Sequence, residues 1–141
     1  MARWYLAAVM ALMGLLQLEG WSVFVDAVES YRFGGWAAPL AAALIAGELV
    51  AAVGLAADRR SGAVVALVVS VAWTVLGLQA FGRGLAIDNC GCFGRFLQQE
   101  LRWWVLVEDL YLLGLAWWVL RPYRTKDPAP SVEGGDRYQN V

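Results

Sequence analysis

Apolar residues run along this chain in four blocks, at 4–28, 36–57, 63–81 and 103–120, with charged residues gathered between them. Each block is close to the roughly 20 residues a helix needs to cross a hydrocarbon core. Lipid offers no partners to the backbone, so every peptide group must be bonded within its own segment, and even the valine-rich third block reads as helix. The pattern predicts an all-α membrane protein, a four-transmembrane-helix bundle over residues 1–121. The remainder, 122–141, has three prolines, mixed charge and no apolar face, and reads as a disordered cytoplasmic tail.

The first block is the least regular. Its uninterrupted part, 4–18, is short for a crossing, and the span closes only if Gln17 and Glu19 are tolerated and 21–25 completes it. Arg3 before an apolar run also resembles a signal peptide, but Glu19 stands where a small-residue cleavage site should lie, so a retained helix is expected. In the second block Ala43, Gly47 and Ala51 recur at every fourth position, a small-residue track that would let another helix approach closely. The turn Asp58-Arg59-Arg60-Ser61-Gly62 makes spans two and three antiparallel neighbours. Span four is fronted by Arg102-Trp103-Trp104 and closed by Trp117-Trp118 and Arg121-Pro122.

Composition agrees with this frame and narrows the chemistry. Hydrophobic residues make up 60% of the chain and charged ones 16%, and eight tryptophans fit the aromatic belts of membrane interfaces. A net charge of −1 offers no basic surface for nucleic acid. Histidine is absent, which removes His-dependent triads, Cys/His zinc sites and histidine-ligated haem from what this chain can build alone. Two cysteines are too few for an iron–sulfur site of four thiolates.

Those two cysteines sit one residue apart in Asp88-Asn89-Cys90-Gly91-Cys92-Phe93-Gly94, inside the longest connection, 82–101, between the third and fourth spans. A Cys-x-Cys disulfide closes a very small ring. Departure from preferred disulfide geometry stores strain and eases reduction, and so short a loop gains little as a staple. Gly91 can take the backbone angles such a ring demands, and Phe93 and Gly94 would seat the loop and let a partner's backbone come near. Three uses stay open on these grounds: redox exchange, a two-thiolate metal contact with copper(I) as the soft candidate, and no chemical role.

Basic residues suggest which side of the membrane the pair faces. With the amino terminus cytoplasmic, the inner segments hold Arg3, Arg59, Arg60, Arg121, Arg124, Lys126 and Arg137, and the outer ones Arg32, Arg83, Arg95 and Arg102. That excess favours both termini inside and the Cys90/Cys92 loop extracytoplasmic, where disulfides persist. Carboxylates at membrane depth are costly and suggest function. Glu19, Glu108 and Asp109, with Gln79, fall toward the outer helix ends beneath the loop, and Glu48 lies deeper. They read as a proton-handling set for thiol chemistry or, for those near helix ends, as groups reaching interfacial water or pairing with Arg83 or Arg102. Adjacent Glu108 and Asp109 point about 100° apart on a helix, so one of them should face the bundle.

Several stretches resemble the MauE family of membrane proteins, named for methylamine utilisation and similar in architecture to DoxX-like proteins. Cys90-Gly91-Cys92-Phe93-Gly94, preceded by Arg83-Gly84 and Asp88, resembles its Cys-Gly-Cys-Phe-Gly signature. Glu48-Leu49 followed by Gly54-Leu55 resembles its second-span carboxylate motif. Tyr31-Arg32, and Arg102 with Asp109, match weaker features. Where a basic residue is expected near the end of span one, this chain has Gln17-Leu18-Glu19. The resemblance covers about 5–120. It implies a thiol–disulfide oxidoreductase component that exchanges electrons through Cys90 and Cys92 with an extracytoplasmic thioredoxin-like protein, for maturation of a disulfide-containing protein. A membrane quinone is the candidate electron carrier, although no binding motif for one stands out. The rival expectations are a non-catalytic assembly factor and a copper(I)-handling membrane protein.

Overall fold

In the computed structural model the described residues are 1–93, 95–96 and 99–124. Most of them form five helices: α1 (Ala2–Glu19), α2 (Trp21–Ser30), α3 (Ala37–Ala56), α4 (Arg60–Gly82) and α5 (Trp103–Arg124), with a single 3₁₀ turn, Gly34–Trp36, leading into α3. Three segments are long and apolar enough to cross a membrane: Gly34–Ala56, Arg60–Gly82 and Trp103–Tyr123. Their outward faces carry Val50, Val53, Val68, Val75, Leu78 and Leu110, all exposed. Helices that are apolar on their outer surface are built for a lipid surround. Every tryptophan except Trp73 is exposed.

The expected first span is a bent pair. α1 and α2 meet at 100° across Gly20, whose backbone angles (φ −95°, ψ 36°) leave the helical range. Two causes can be named. A Cβ at Gly20 would lie 3.3 Å from both the backbone nitrogen and Cγ of Arg95, so glycine admits the cysteine-bearing connection at the break. Beyond the break the sequence is amphipathic: Ser22, Asp26, Glu29 and Ser30 are exposed while Phe24, Ala27 and Val28 are buried. Such a helix suits a bundle's polar end, and α1 and α2 qualify as a fourth span only when taken together as one broken segment.

α1 packs on α3, α3 on α4 and α4 on α5, and α2 leans on α3. The α3–α4 hairpin closes on backbone contact: a Cβ on Gly62 would fall 2.3 Å from the Gly54 carbonyl carbon. Farther along, a Cβ on Gly47 would lie 2.7 Å from Val69 Cγ2. Of the expected small-residue track, Ala51 is buried and Ala43 is exposed. Four residues overshoot one turn by about 40°, so two steps carry the track off the contact face.

At the hairpin end, Asp58 pairs with Arg3 and accepts a hydrogen bond from Tyr123. This gathers the start of α1, the α3–α4 turn and the end of α5. Span four was expected to close at Arg121-Pro122, but α5 runs through Pro122 to Arg124. Proline removes one backbone donor in that last turn, and the Tyr123–Asp58 bond holds the turn in place. At the opposite end, Arg95 pairs with Glu19 at 3.0 Å, gathering the end of α1 and the connection between α4 and α5. Of the tail, only 122–124 is described.

Candidate functional site

Cys90 and Cys92 lie in the connection between α4 and α5, pinned by local geometry first. The Gly91 amide donates to Asn89 Oδ1 at 3.0 Å, a side-chain turn typical of asparagine. Gly91 has φ +87°, a left-handed conformation that costs other residues energy. Two backbone bonds tie the limbs of the connection, Cys90 N–H to Gln99 O at 2.8 Å and Leu101 N–H to Ile87 O at 2.9 Å.

Tertiary contacts then hold the turn from below. The Tyr31 hydroxyl, at the end of α2, donates to the Cys90 carbonyl at 3.0 Å, and Gln17 Nε2 on α1 donates to the Cys92 carbonyl at 3.0 Å. Phe24 of α2 faces Gly91 so closely that a Cβ there would sit 3.2 Å from its ring. Phe24 in turn meets Trp73 of α4, with ring centroids 6.1 Å apart. α2 therefore serves as a shelf under the cysteine turn.

Both cysteines are buried free thiols with their sulfurs 3.3 Å apart, in hydrogen-bonding contact. The bond from Cys92 holds the Cys90 thiol below the ordinary range, against an opposing effect of burial. Cys92 is pushed well up, first by that shared bond with Cys90, then by burial and by the nearby charges of Cys90, Asp109 and Glu48. The shared contact thus favours ionisation of Cys90 over that of Cys92. A low first ionisation is what a nucleophilic thiol requires.

Gln17 extends the network inward. The same Nε2 lies 3.4 Å from Glu48 Oε1 on α3, which also accepts the Trp73 indole N–H at 2.8 Å. Glu48 and Gln17 are fully buried. Among the described residues their remaining oxygens, Glu48 Oε2 and Gln17 Oε1, find no hydrogen-bond partner. Among the described residues, the ion pairs lie at helix ends and in the connection, and none includes Glu48.

The other carboxylates divide cleanly. Asp109 is buried on α5, opposite Gly77, where an added Cβ would stand 3.1 Å from its Oδ2. Glu108 is exposed and accepts from Gln99 Nε2 at 3.3 Å. Glu19 is exposed and paired with Arg95. Arg83 donates to Gln79 Oε1 at 2.9 Å, and Arg102 pairs with Glu100. Phe93 is half-buried against the core, and Gly94 lies outside the described residues. Among the described residues no group of three or more His, Cys, Asp or Glu side chains is arranged to hold a metal ion.

Sequence reasoning passed over Trp73 as a site residue, although a signal was available. It lies in the middle of its span, and a buried indole N–H needs an acceptor. Glu48 was the acceptor at matching depth.

Helices long and apolar enough to cross a membrane, with a buried pair of free thiols on a turn that Gln17 links to Glu48, define a polytopic membrane protein with two adjacent thiols. The chain belongs to the MauE family: the family model described as methylamine utilisation protein MauE matches residues 1–122. No curated protein and no solved structure matches it.

Proposed function

We propose that this protein is a membrane thiol–disulfide oxidoreductase component, exchanging electrons through Cys90 and Cys92 with a thioredoxin-like protein on the extracytoplasmic side. The observation that carries the reading is the placement of two free sulfurs 3.3 Å apart on a turn whose backbone is fixed from α1 and α2. Membership of a family named for methylamine utilisation supports a role in maturing a disulfide-containing protein of such a system. In the exchange, a Cys90 thiolate attacks one sulfur of the partner's disulfide, and the partner's other sulfur leaves with the electron pair and takes a proton. Cys92 then displaces the first partner sulfur, closing the Cys90–Cys92 disulfide and releasing a second partner thiol. The reverse sequence reduces the pair. A membrane quinone is the class of carrier to which the electron pair would finally pass.

Both sulfurs are covered, so a partner reaches them only once the connection lifts from the α2 shelf. The orientation rests on the excess of arginine and lysine assigned to the inner segments. Burial of Glu48 and Asp109 supports proton handling by these two, whereas Glu19 and Glu108 are exposed and held by Arg95 and Gln99.

A trapping experiment tests this reading. In cells, Cys92→Ser should accumulate a mixed disulfide through Cys90 that reductant dissolves, and mass spectrometry of the adduct names the partner. Free thiols under all conditions, together with full activity in both Cys→Ser variants, would end the proposal. Stoichiometric copper in the purified protein would favour the metal-handling alternative.

A further inference from the structure

We infer that Glu48, held in position by Gln17, is the internal proton donor and acceptor for the Cys92 sulfur during exchange, an inference that rests on the thiol–disulfide reading above. Gln17 has two N–H bonds to give, and its Nε2 faces two acceptors, the Cys92 carbonyl and Glu48 Oε1. The Trp73 indole gives its single N–H to the same Glu48 oxygen. Among the described residues no donor remains for Glu48 Oε2 or Gln17 Oε1, both fully enclosed. A buried polar atom without a partner costs roughly 1–3 kcal/mol, and two facing one network call for a function. A proton on Glu48 turns one surplus acceptor into a donor.

The place of this surplus matters. It lies one side chain, Gln17, away from the Cys92 peptide. The groups around Glu48 are Gln17 from α1, Trp73 from α4 and Cys92 of the turn, with Cys90 beyond it. The other titratable neighbours of the cysteine pair are Tyr31 after α2, and Asp109 and Glu108 on α5. Among the described residues no ion pair includes Glu48.

Exchange supplies the need. When a partner thiolate attacks Cys90 of the closed disulfide, the Cys90–Cys92 bond breaks and its electron pair goes to the Cys92 sulfur. That sulfur would be a thiolate buried away from water, and a proton from Glu48 converts it to a thiol. A bond has formed between Cys90 and the partner, the negative charge has moved from the partner to Glu48, and no external oxidant is needed. In the reverse direction Glu48 takes the proton back as Cys92 attacks. Gln17 is the positioning residue in both. Its bond to Glu48, at 3.4 Å, is longer than the usual 2.7–3.2 Å, so movement of the Cys92 carbonyl on ring opening readily makes or breaks it.

The test uses the purified full chain in lipid nanodiscs, oxidised with glutathione disulfide and reduced with dithiothreitol. The reduction rate is followed across pH, in H2O and D2O. Wild-type protein should show a solvent isotope effect and a rate that declines at high pH after allowance for ionisation of dithiothreitol. Glu48→Gln should lose that decline and slow reduction by about 100-fold or more, the usual scale of general acid catalysis. Gln17→Met should slow the reaction while keeping the decline, and Glu48→Asp should recover part of the rate. A Glu48→Gln rate and pH profile equal to wild type would overturn the role of Glu48 alone. A wild-type profile with neither isotope effect nor extra limb overturns it without any variant. A wild-type pair that never closes a disulfide overturns the exchange reading itself.

Discussion

The Tyr31 hydroxyl donates to the Cys90 carbonyl at 3.0 Å, bonding the end of a short bent helix to a turn 59 residues away in sequence. Both groups are buried, so no water replaces the bond if it is lost. The phenol is held above its usual range, first by burial and then by the charges of Cys92 and Cys90, so the donor survives through the pH range in which thiols titrate.

Tyr31→Phe should leave the Cys90 carbonyl without a donor at a cost of about 1–3 kcal/mol. The loss falls on the closed form of the turn, so reduced protein should be alkylated at Cys90 roughly 5- to 150-fold faster. An unchanged alkylation rate would mean that the turn opens without breaking this bond.

Cys90 owes its lowered ionisation to the bond from Cys92, and burial opposes it. Cys92→Ala should therefore move the pH midpoint of Cys90 alkylation upward, because the thiolate loses its donor while its burial stays. A midpoint that stays put or falls would assign the lowering to another group.

Gly91 combines φ +87° with the Phe24 ring 3.2 Å from where a Cβ would stand. Gly91→Ala should cost about 1–2 kcal/mol for the backbone alone, and more for the ring it displaces. Adding Phe24→Leu should recover the contact portion and leave the backbone portion, measured by thermal unfolding in micelles.

Gly62 touches the backbone of Gly54 across the α3–α4 hairpin. Gly62→Val should force the helices apart, with a loss at or above the upper end of the about 1–3 kcal/mol usual for overpacking. Gly114→Ala is the control, since a Cβ on α5 there meets nothing within 4 Å. Equal melting temperatures for the two variants would contradict the close hairpin.

Much of the frame is readable from residue order. Long apolar runs leave a lipid-solvated backbone little choice but helix, and α3, α4 and α5 fall where spans two, three and four were expected. The first span shows the limit of that logic. Window hydropathy averages over the exposed acids of α2 and cannot register that Gly20 is needed to admit Arg95. Depth set Glu48 apart from the other three carboxylates in sequence, but depth along a helix does not specify a face, so it could not say which of Glu108 and Asp109 turns inward. Asp109 and Glu108 are neighbours on α5, and one is buried while the other meets Gln99.

By itself the sequence determined that the chain is helical and apolar, that it carries no histidine, and that its only two thiols are one glycine apart. These follow from local composition and covalent spacing, which no packing can alter. Only the tertiary structure decided that α1 ends in a bend, that α2 closes over the pair, and that Gln17, Glu48 and Trp73 from three helices meet beneath Cys92. Those contacts join residues 25 to 75 positions apart. Whether such residues meet is set by which face each helix turns inward, a property of the packed bundle as a whole.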